Sequence, residues 1–228
     1  MRQDHSFSII PPATKASNVS AAILGGGAAT RLSGAVKPLL EVGGVSILER
    51  LCATLAPRFD DLLLVVKELE PYARAAAQNP PWRMVCDKLP SRSSLTGLHA
   101  AIAAARYEHV FVTAGDSPFL RPELIDALLA LLRPEDDVLL PRTPDGYIEP
   151  LCAIYSRRCL PRIEARLARG EHKIGDFLST VHLHPLPLET LLRADPEQIS
   201  FRNANTPEEL RALREIAAGT RHPGQEAT

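Results

Sequence analysis

Short apolar runs alternate with amphipathic helical stretches through most of this chain, and the alternation limits the folds that it can adopt. The clearest strand-like runs are VSAAIL (19–24), DLLLVV (61–66), RMVC (83–86), HVFVTA (109–114) and DVLLP (137–141). The helical stretches are SILERLCATLA (46–56), TGLHAAIAAARY (96–107), RPELIDALLALL (121–132), RRCLPRIEARLARG (157–170) and TPEELRALREIA (206–217). This alternation predicts an α/β domain with a mainly parallel sheet covered by helices.

The domain organisation follows from the absence of any internal boundary signal. The chain has 228 residues, and its centre contains neither an internal repeat nor a linker rich in glycine and serine. We therefore expect residues 19–217 to form a single domain. Residues 1–18 and 218–228 show no hydrophobic period, so they are expected to be a flexible N-terminal extension and a flexible tail.

The composition excludes several classes of partner. The 26 basic residues nearly cancel the 27 acidic ones, which leaves no overall positive field of the kind that nucleic-acid-binding proteins use. No apolar run reaches the ~20 residues that a membrane helix needs, and the N-terminus lacks the apolar core of a signal peptide. The four cysteines show neither a CxxC pair nor a metal-binding spacing. We expect a cytoplasmic protein that binds neither nucleic acid nor a membrane.

A glycine-rich loop directly follows the first predicted strand. Gly25, Gly26 and Gly27 stand there, and Arg31 and Lys37 come shortly after them. Glycines let backbone N–H groups approach an anion closely, and the two cations add to the attraction. The spacing matches neither a dinucleotide fingerprint nor a P-loop. The stretch indicates a phosphate site, with a merely flexible loop as the alternative.

Polar residues follow other strands at the edge where a parallel sheet binds its ligands. Asp116 comes directly after a wholly apolar strand and is a natural Mg²⁺ ligand, although it could instead cap the following helix. Asp87 opens a loop that ends at Gly97, where a solvated turn aspartate is the alternative. Asn203 and Asn205 lie between a β-like run and a helix, where asparagine is also a common capping residue.

Taken together, these motifs resemble the molybdenum cofactor guanylyltransferases (MobA), which are nucleotidyltransferases with a Rossmann-like sheet. The matching segments are LGGGAATRLSGAVK (24–37), GDSPF (115–119), EPLCAIY (149–155) and NANTPEEL (203–210). The likeness extends over roughly residues 21–217. It implies a three-layer fold of the nucleotide-diphospho-sugar transferase type, with a mainly parallel central sheet.

The resemblance also implies an activity. The chain would transfer GMP from GTP to the terminal phosphate of molybdopterin, giving the guanine dinucleotide cofactor and pyrophosphate, with Mg²⁺ as the cofactor. Its partners would be GTP and molybdopterin or the molybdenum cofactor, with transient contacts to other cofactor-synthesis proteins or to molybdoenzymes. The segment 149–155 and the basic RGEHK (169–173) would face the acceptor. The alternative for these two segments is a strand and a solvated helix end.

The resemblance assigns roles to individual residues, of which Asp87 would contact the guanine edge. The implied catalytic residues are Lys37, Arg31 and Asp116; the implied nucleotide contacts are Leu24, Gly25, Gly26, Gly27, Lys37, Asp87, Gly97 and Asp116. The implied metal ligand is Asp116, with Asn205 or Asn203 as a further ligand or as its hydrogen-bond partner.

Departures from the family pattern leave alternatives open. Val36 stands where the family usually has aspartate, and Pro38 gives KPLL, which looks more like the sugar nucleotidyltransferases. The sequence VVKE (65–68) replaces a region where some members place an asparagine. A cytidylyltransferase, a sugar-phosphate nucleotidyltransferase and a nucleotide-binding regulator without turnover are therefore alternatives. The regulator would be expected to lack the cationic and metal-binding residues, which this chain has.

Overall fold

A computed structural model of the chain describes residues 16, 18–26, 31–32, 35–78 and 80–219. The strands are β1 (Val19–Leu24), β2 (Arg31–Leu32), β3 (Ala35–Val36), β4 (Glu41–Val42), β5 (Val45–Ser46), β6 (Leu62–Val66), β7 (Arg83–Cys86), β8 (His109–Ala114), β9 (Val138–Pro141), β10 (Cys152–Ser156) and β11 (Leu183–Leu186). The α-helices are α1 (Ile47–Leu55), α2 (Ala73–Ala76), α3 (Ser94–Ala104), α4 (Pro122–Leu131), α5 (Leu160–Ala168), α6 (Ile174–Leu178), α7 (Leu188–Ala194) and α8 (Pro207–Gly219).

A seven-stranded sheet forms the centre of the described fold, in the order β11-β9-β10-β8-β1-β6-β7. The pairs β1–β6, β1–β8, β6–β7 and β9–β11 are parallel, whereas β10 runs antiparallel to both β8 and β9. Two small hairpins, β2–β3 and β4–β5, lie outside this sheet. The parallel strands β8, β1, β6 and β7 therefore bring their carboxyl ends to one edge, where the loops after them meet.

Two hydrophobic cores cover the two faces of the sheet. Alternation along β1 sends Ala21 and Ile23 into one core and Ala22 into the other, as expected for a strand buried on both faces. Helices α1, α4, α7 and α8 pack on the first face, and α3, α5 and α6 pack on the second. The three-layer fold with a mainly parallel sheet, predicted from the sequence, is confirmed.

The predicted elements differ from the observed ones mainly at their ends. Strands 19–24, 83–86 and 109–114 begin and end as predicted. The predicted helix 157–170 instead begins with a 3₁₀ turn at Arg157–Cys159, and Gly170, which has a φ of 74°, follows its end. The predicted β-like run before Asn203 is also wrong, because Ile199–Phe201 forms a 3₁₀ turn.

The chain ends lie mostly outside the described residues. This holds for the predicted extension except Ala16 and Asn18, and for the predicted tail from residue 220 onward. Ala16 forms an isolated parallel bridge with Phe59, and its N–H donates to the carbonyl oxygen of Arg58 at 2.8 Å. Within the described part of the chain, no helix is long and apolar enough to cross a membrane.

Candidate functional site

The loops after β1 and β8 touch each other at the carboxyl edge of the sheet. Leu24 pairs with Ala114 at the ends of these strands, and the N–H of Gly115 donates to the carbonyl oxygen of Leu24 at 2.9 Å. A Cβ atom added at Gly115 would lie 2.9 Å from that oxygen and 3.2 Å from the Cα atom of Gly25. The close approach of these two backbones therefore requires glycine at position 115.

Lys37 brings a buried positive charge to this junction. It begins a 3₁₀ turn (Lys37–Leu39), and its side chain is 4% exposed. Its Nζ atom donates to Oδ2 of Asp116 at 3.0 Å and to Oδ1 of Asn205 at 2.7 Å. A buried ammonium group needs such paired and hydrogen-bonded partners. Lys37 thus joins the loop after β8 to the segment before α8.

The segment that carries the two asparagines is held in place by backbone and side-chain hydrogen bonds. The N–H of Ala204, which is fully buried, donates to the carbonyl oxygen of Asp116 at 2.9 Å. Ser117 Oγ donates to Oδ1 of Asn203 at 2.5 Å. A capping box begins α8, because Glu209 N–H donates to Thr206 Oγ1 at 3.1 Å and Thr206 N–H donates to Glu209 Oε2 at 2.9 Å.

These loops surround a cavity of about 300 Å³. Its lining residues come from five chain segments and the start of α3: Leu24, Gly25, Gly26, Lys37, Pro38, Ser93, Ser94, Gly97, Ala114, Gly115, Asp116, Leu151, Asn203 and Asn205. The N-terminal turn of α3 contributes unpaired backbone N–H groups, and Ser93 caps that turn by accepting from Thr96 N–H at 3.2 Å. Backbone donors, one ammonium group and one carboxylate make this a cavity suited to a phosphorylated ligand.

A second, smaller cavity continues along the sheet edge from the glycine loop. It is lined by Gly25, Gly26, Val36, Val66, Lys67, Glu68, Pro71, Tyr72 and Arg92. Gly26 packs against the chain after β6, where an added Cβ atom would lie 3.0 Å from Lys67 N. Gly25 and Gly26 line both cavities, which therefore lie side by side at the ends of β8, β1 and β6.

Asp87 follows β7, as predicted, but its carboxylate does not line either of these cavities. Its side chain is 3% exposed and lies 2.8 Å from Lys67 Nζ through Oδ2. Its Oδ1 atom accepts the N–H of Leu89 at 3.0 Å. Both carboxylate oxygens are therefore engaged within the protein.

The oxygen atoms around Asp116 meet the requirements of a Mg²⁺ ion. One carboxylate with amide oxygens nearby suits an ion that binds one or two carboxylates and completes its shell with phosphate oxygens and water. Asp116 and Asn205 both line the cavity and converge on the same ammonium group. No cluster of three or more His, Cys, Asp or Glu side chains occurs among residues 16, 18–26, 31–32, 35–78 and 80–219. The residues fit a magnesium ion that is shared with a phosphorylated substrate.

Most sequence-predicted site residues meet at the larger cavity. Leu24, Gly25, Gly26, Lys37, Gly97, Asp116 and Asn205 all line it. Gly27 lies outside the described residues, and of Arg31 only the backbone, in β2, is described. The sequence reasoning missed Pro38, Ser93, Ser94, Ala114 and Gly115 as lining residues, since no charged or metal-binding group marks them in the sequence.

The segment 149–155 leads into β10 and includes all of that strand except Ser156, and one of its residues reaches the cavity. Leu151 lines the cavity, and its carbonyl oxygen accepts the N–H of Ala114 at 3.2 Å. Burial raises the pKa of the Glu149 carboxyl. In the basic segment 169–173, Arg169 is paired with Glu171 at 2.9 Å, and its contact with an acceptor stays a prediction.

Comparison with known proteins adds independent findings. A family model, the MobA-like NTP transferase domain, matches residues 21–185. The chain is 33% identical over 204 residues to a molybdenum cofactor guanylyltransferase from Desulfosudis oleivorans, which covers 88% of this chain and 97% of that protein. It is 34% identical over 206 residues to a probable molybdenum cofactor guanylyltransferase from Natranaerobius thermophilus, covering 89% of this chain and 98% of that one.

A solved structure supports the same relationship. The crystal structure of molybdopterin-guanine dinucleotide biosynthesis protein A from Archaeoglobus fulgidus matches with a TM-score of 0.73 and 26% sequence identity. The match covers 88% of this chain and 100% of that chain. Similarity in sequence and similarity in fold thus lead to the same set of relatives.

Proposed function

The chain belongs to the family of MobA-like NTP transferase domains, and from this premise we propose that it transfers GMP from GTP to molybdopterin. An oxygen of the acceptor's terminal phosphate forms a bond to the α-phosphorus of GTP. The bond from that phosphorus to the β-phosphate oxygen breaks, and pyrophosphate leaves with the electron pair. The observation that carries the proposal is the convergence of Lys37, Asp116 and Asn205 at the glycine-walled cavity.

This reaction does not require proton transfer by a side chain of the protein. A phosphate monoester is already anionic near neutral pH, so the nucleophile needs no general base. The described residues that line the cavity include no histidine, which agrees with such a mechanism. Catalysis then rests on alignment of the two substrates and on stabilisation of the charge that develops on the phosphates.

Each part of the cavity takes one of these tasks. The backbone N–H group of Gly26 receives a phosphate, because the glycine allows a close backbone approach, whereas the N–H of Gly25 already donates to the carbonyl oxygen of Val65 at 2.8 Å. Lys37 acts as a point charge against the phosphate at which bonds change, and Arg31 adds a second, bidentate cation. Asp116, together with Asn205, would hold Mg²⁺, which would supply positive charge against the phosphates.

The choice of GTP and molybdopterin comes from the relatives rather than from the shape of the cavity. Both curated relatives carry the activity name of a molybdenum cofactor guanylyltransferase over nearly their whole length. Cytidylyl transfer, a sugar-phosphate acceptor and nucleotide binding without turnover remain as alternatives. Transient contacts with other cofactor-synthesis proteins or with molybdoenzymes belong to the same proposal, because the dinucleotide product has to be handed on.

Pyrophosphate release tests the proposal directly. The protein is incubated with Mg²⁺, molybdopterin and either GTP, CTP or ATP, and pyrophosphate is measured over time. We expect release with GTP that depends on both molybdopterin and Mg²⁺, and that is lost in Asp116→Ala but kept in the control Asp176→Ala, which changes an exposed aspartate on α6. Release that occurs only with CTP, or only with a sugar phosphate, would overturn the assignment.

A further inference from the structure

The carbonyl group of Gly25 meets a buried phenol hydroxyl. Tyr72 ends the 3₁₀ turn Glu70–Tyr72, which follows β6, and only 2% of its surface is exposed. Its Oη atom donates to the carbonyl oxygen of Gly25 at 3.4 Å. Burial raises the pKa of the Tyr72 phenol, so the hydroxyl keeps its proton at neutral pH and can act as a donor. A side chain from beyond β6 thus supports the backbone of the glycine loop.

Gly25 is held on both sides of its Cα atom. Its N–H donates to the carbonyl oxygen of Val65 at 2.8 Å, and its carbonyl group accepts from Tyr72. A Cβ atom added at Gly25 would lie 2.9 Å from Tyr72 Oη. The ring of Tyr72 is packed into the core that α1 and α4 cover, so it cannot easily move aside. The lack of a side chain at Gly25 therefore lets the hydroxyl reach the carbonyl group.

The peptide group between Gly25 and Gly26 transmits this contact. The carbonyl of Gly25 and the N–H of Gly26 belong to one planar trans peptide, so they point in opposite directions. Tyr72 belongs to the core on one face of the sheet, and α3 covers the other face. The N–H of Gly26 therefore points away from Tyr72 and toward the first turn of α3, which lines the larger cavity. Within the part of the chain that the structure describes, no atom accepts this N–H.

The orientation of this peptide needs such support because glycine lies on both sides of it. Without Cβ atoms, the φ and ψ angles around the peptide are little restricted, and the peptide plane can turn over at low cost. In the reverse orientation, the carbonyl oxygen of Gly25 would face the phosphates and repel them. The hydrogen bond from Tyr72 stabilises the orientation that directs an N–H group at the phosphates instead.

We propose that Tyr72 is a positioning residue of the phosphate site, whose hydroxyl keeps the N–H of Gly26 directed at a bound phosphate by donating to the carbonyl group of Gly25. Tyr72 does not line the larger cavity and acts through the peptide alone. The inference rests on the proposed function, because it assumes that nucleotide phosphates occupy that cavity. Removal of one hydroxyl group outside the cavity should therefore weaken phosphate binding inside it.

The first test measures the dissociation constant of GTP with Mg²⁺ by isothermal titration calorimetry on the full chain. Tyr72→Phe keeps the ring and removes only the hydroxyl, and the dissociation constant should rise about fivefold. The matched control is Tyr107→Phe, because Tyr107 precedes β8 and lies at the opposite edge of the sheet from the cavities. This control should leave the dissociation constant unchanged.

A second measurement reports on the N–H of Gly26 itself. The chain has 13 glycines, so glycine-selective ¹⁵N labelling gives a simple amide spectrum, in which the signal of Gly26 is identified by its loss in Gly26→Ala. Saturating pyrophosphate with Mg²⁺ should move the amide proton of Gly26 downfield, as expected for a hydrogen bond to a phosphate oxygen. In Tyr72→Phe the shift at saturation should be smaller, which a change in stability alone would not produce.

A double variant tests whether Gly25 and Tyr72 act together. Gly25→Ala places a Cβ atom against the hydroxyl, so we expect the dissociation constant of GTP to rise about tenfold. In Gly25→Ala combined with Tyr72→Phe, the atom at 2.9 Å is gone, and the next neighbours of the Cβ atom are Val66 Cγ1 at 3.3 Å and Pro38 Cγ at 3.4 Å. The double variant should therefore bind GTP more tightly than Gly25→Ala alone.

Three results would overturn the inference. They are an unchanged dissociation constant in Tyr72→Phe, effects of the two substitutions that multiply in the double variant, and a Gly26 amide that pyrophosphate does not shift in the unchanged protein. If GTP binding and the Gly26 shift behave as expected but molybdopterin causes no pyrophosphate release, the proposed function is refuted and the role of Tyr72 at a phosphate site is supported.

Discussion

Replacing Lys37 by methionine tests the centre of the proposed site. The substitution keeps the length of the side chain, which is 4% exposed, but removes the ammonium group. Asp116 then loses the cation at 3.0 Å, and Asn205 loses the donor at 2.7 Å. The carboxylate of Asp116 is left 18% exposed and without this partner.

The size of the effect of Lys37→Met on stability and on kcat can be estimated from the structure. Breaking a fully buried ion pair from one side costs about 3–5 kcal/mol. Asp116 reaches solvent through the cavity, so screening reduces the expected loss of unfolding free energy to about 2 kcal/mol. That corresponds to a fall in melting temperature of about 4–8 °C for a chain of this size. Removing a preorganised charged donor from the reacting phosphates should lower kcat by about 10²–10³.

The assay combines thermal unfolding with pyrophosphate release at a temperature well below the melting point of Lys37→Met. Lys88→Met serves as the matched control, because it removes an exposed lysine by the same substitution. A folded Lys37→Met protein with turnover near that of the unchanged chain would refute the catalytic role of Lys37. If turnover were lost only where the protein also unfolds, Lys37 would be a structural residue rather than a catalytic one.

Three further predictions concern the glycine contact, the metal site and the far edge of the sheet. In Gly115→Ala, the new Cβ atom would lie 2.9 Å from Leu24 O, so we expect the two loops to separate and turnover to fall about tenfold or more, measured with a melting curve as control. Asp116→Asn keeps the shape but removes the charge, so turnover should fall about 10²-fold or more and a higher Mg²⁺ concentration should be needed for the half-maximal rate; an unchanged Mg²⁺ dependence would place the metal elsewhere. Asp61 is buried, and although burial alone would raise its pKa, hydrogen bonds from Ser20, Arg106 N–H and Arg83 lower the pKa overall. A lowered pKa stabilises the fold above the unfolded value of about 3.9. Urea unfolding should therefore show Asp61→Asn less stable than the unchanged chain at pH 7, with the difference shrinking as the pH falls below about 4; a difference independent of pH would contradict this.

The parallel part of the fold could be predicted because its strands carry strong local signals. The runs 19–24 and 109–114 are apolar on both faces and match β1 and β8 at both ends. The antiparallel β10 was harder to predict, because Cys152–Ser156 is equally buried and nothing in a short apolar run indicates its direction. The edge strand β11 contains His184 and Pro185, which weaken any strand signal.

A site residue could be predicted only where a charged or polar side chain stands shortly after a predicted strand. Lys37 and Asp116 are separated by 79 positions in the sequence, and the order of the strands places both at one edge. The pairing of Lys67 with Asp87 could not be predicted, because VVKE shows an ordinary charged turn. The carboxylates of Asp87 and Asp116 both follow strands, and the sequence does not show which of the two will be accessible to a ligand.

The pairs Lys37–Asp116 and Lys67–Asp87 are chemically alike, but they differ in how easily a ligand can reach them. Their N–O distances are 3.0 Å for Lys37–Asp116 and 2.8 Å for Lys67–Asp87, and both lysines are nearly buried. For a ligand phosphate to take over an ammonium group, the phosphate must reach it and another cation must take the carboxylate. Asp116 lines the larger cavity and is 18% exposed, so Lys37 can exchange partners when a nucleotide with Mg²⁺ enters.

Asp87 is 3% exposed and lies outside the lining of both described cavities, so the same exchange at Lys67 would first require the loop after β7 to open. Removing one partner of such a buried pair is costly, so Lys67 and Asp87 are each expected to contribute to stability. On the proposed function, the Lys37–Asp116 pair takes part in the reaction, whereas the Lys67–Asp87 pair supports the loop between β7 and α3 through its hydrogen bonds to Leu89.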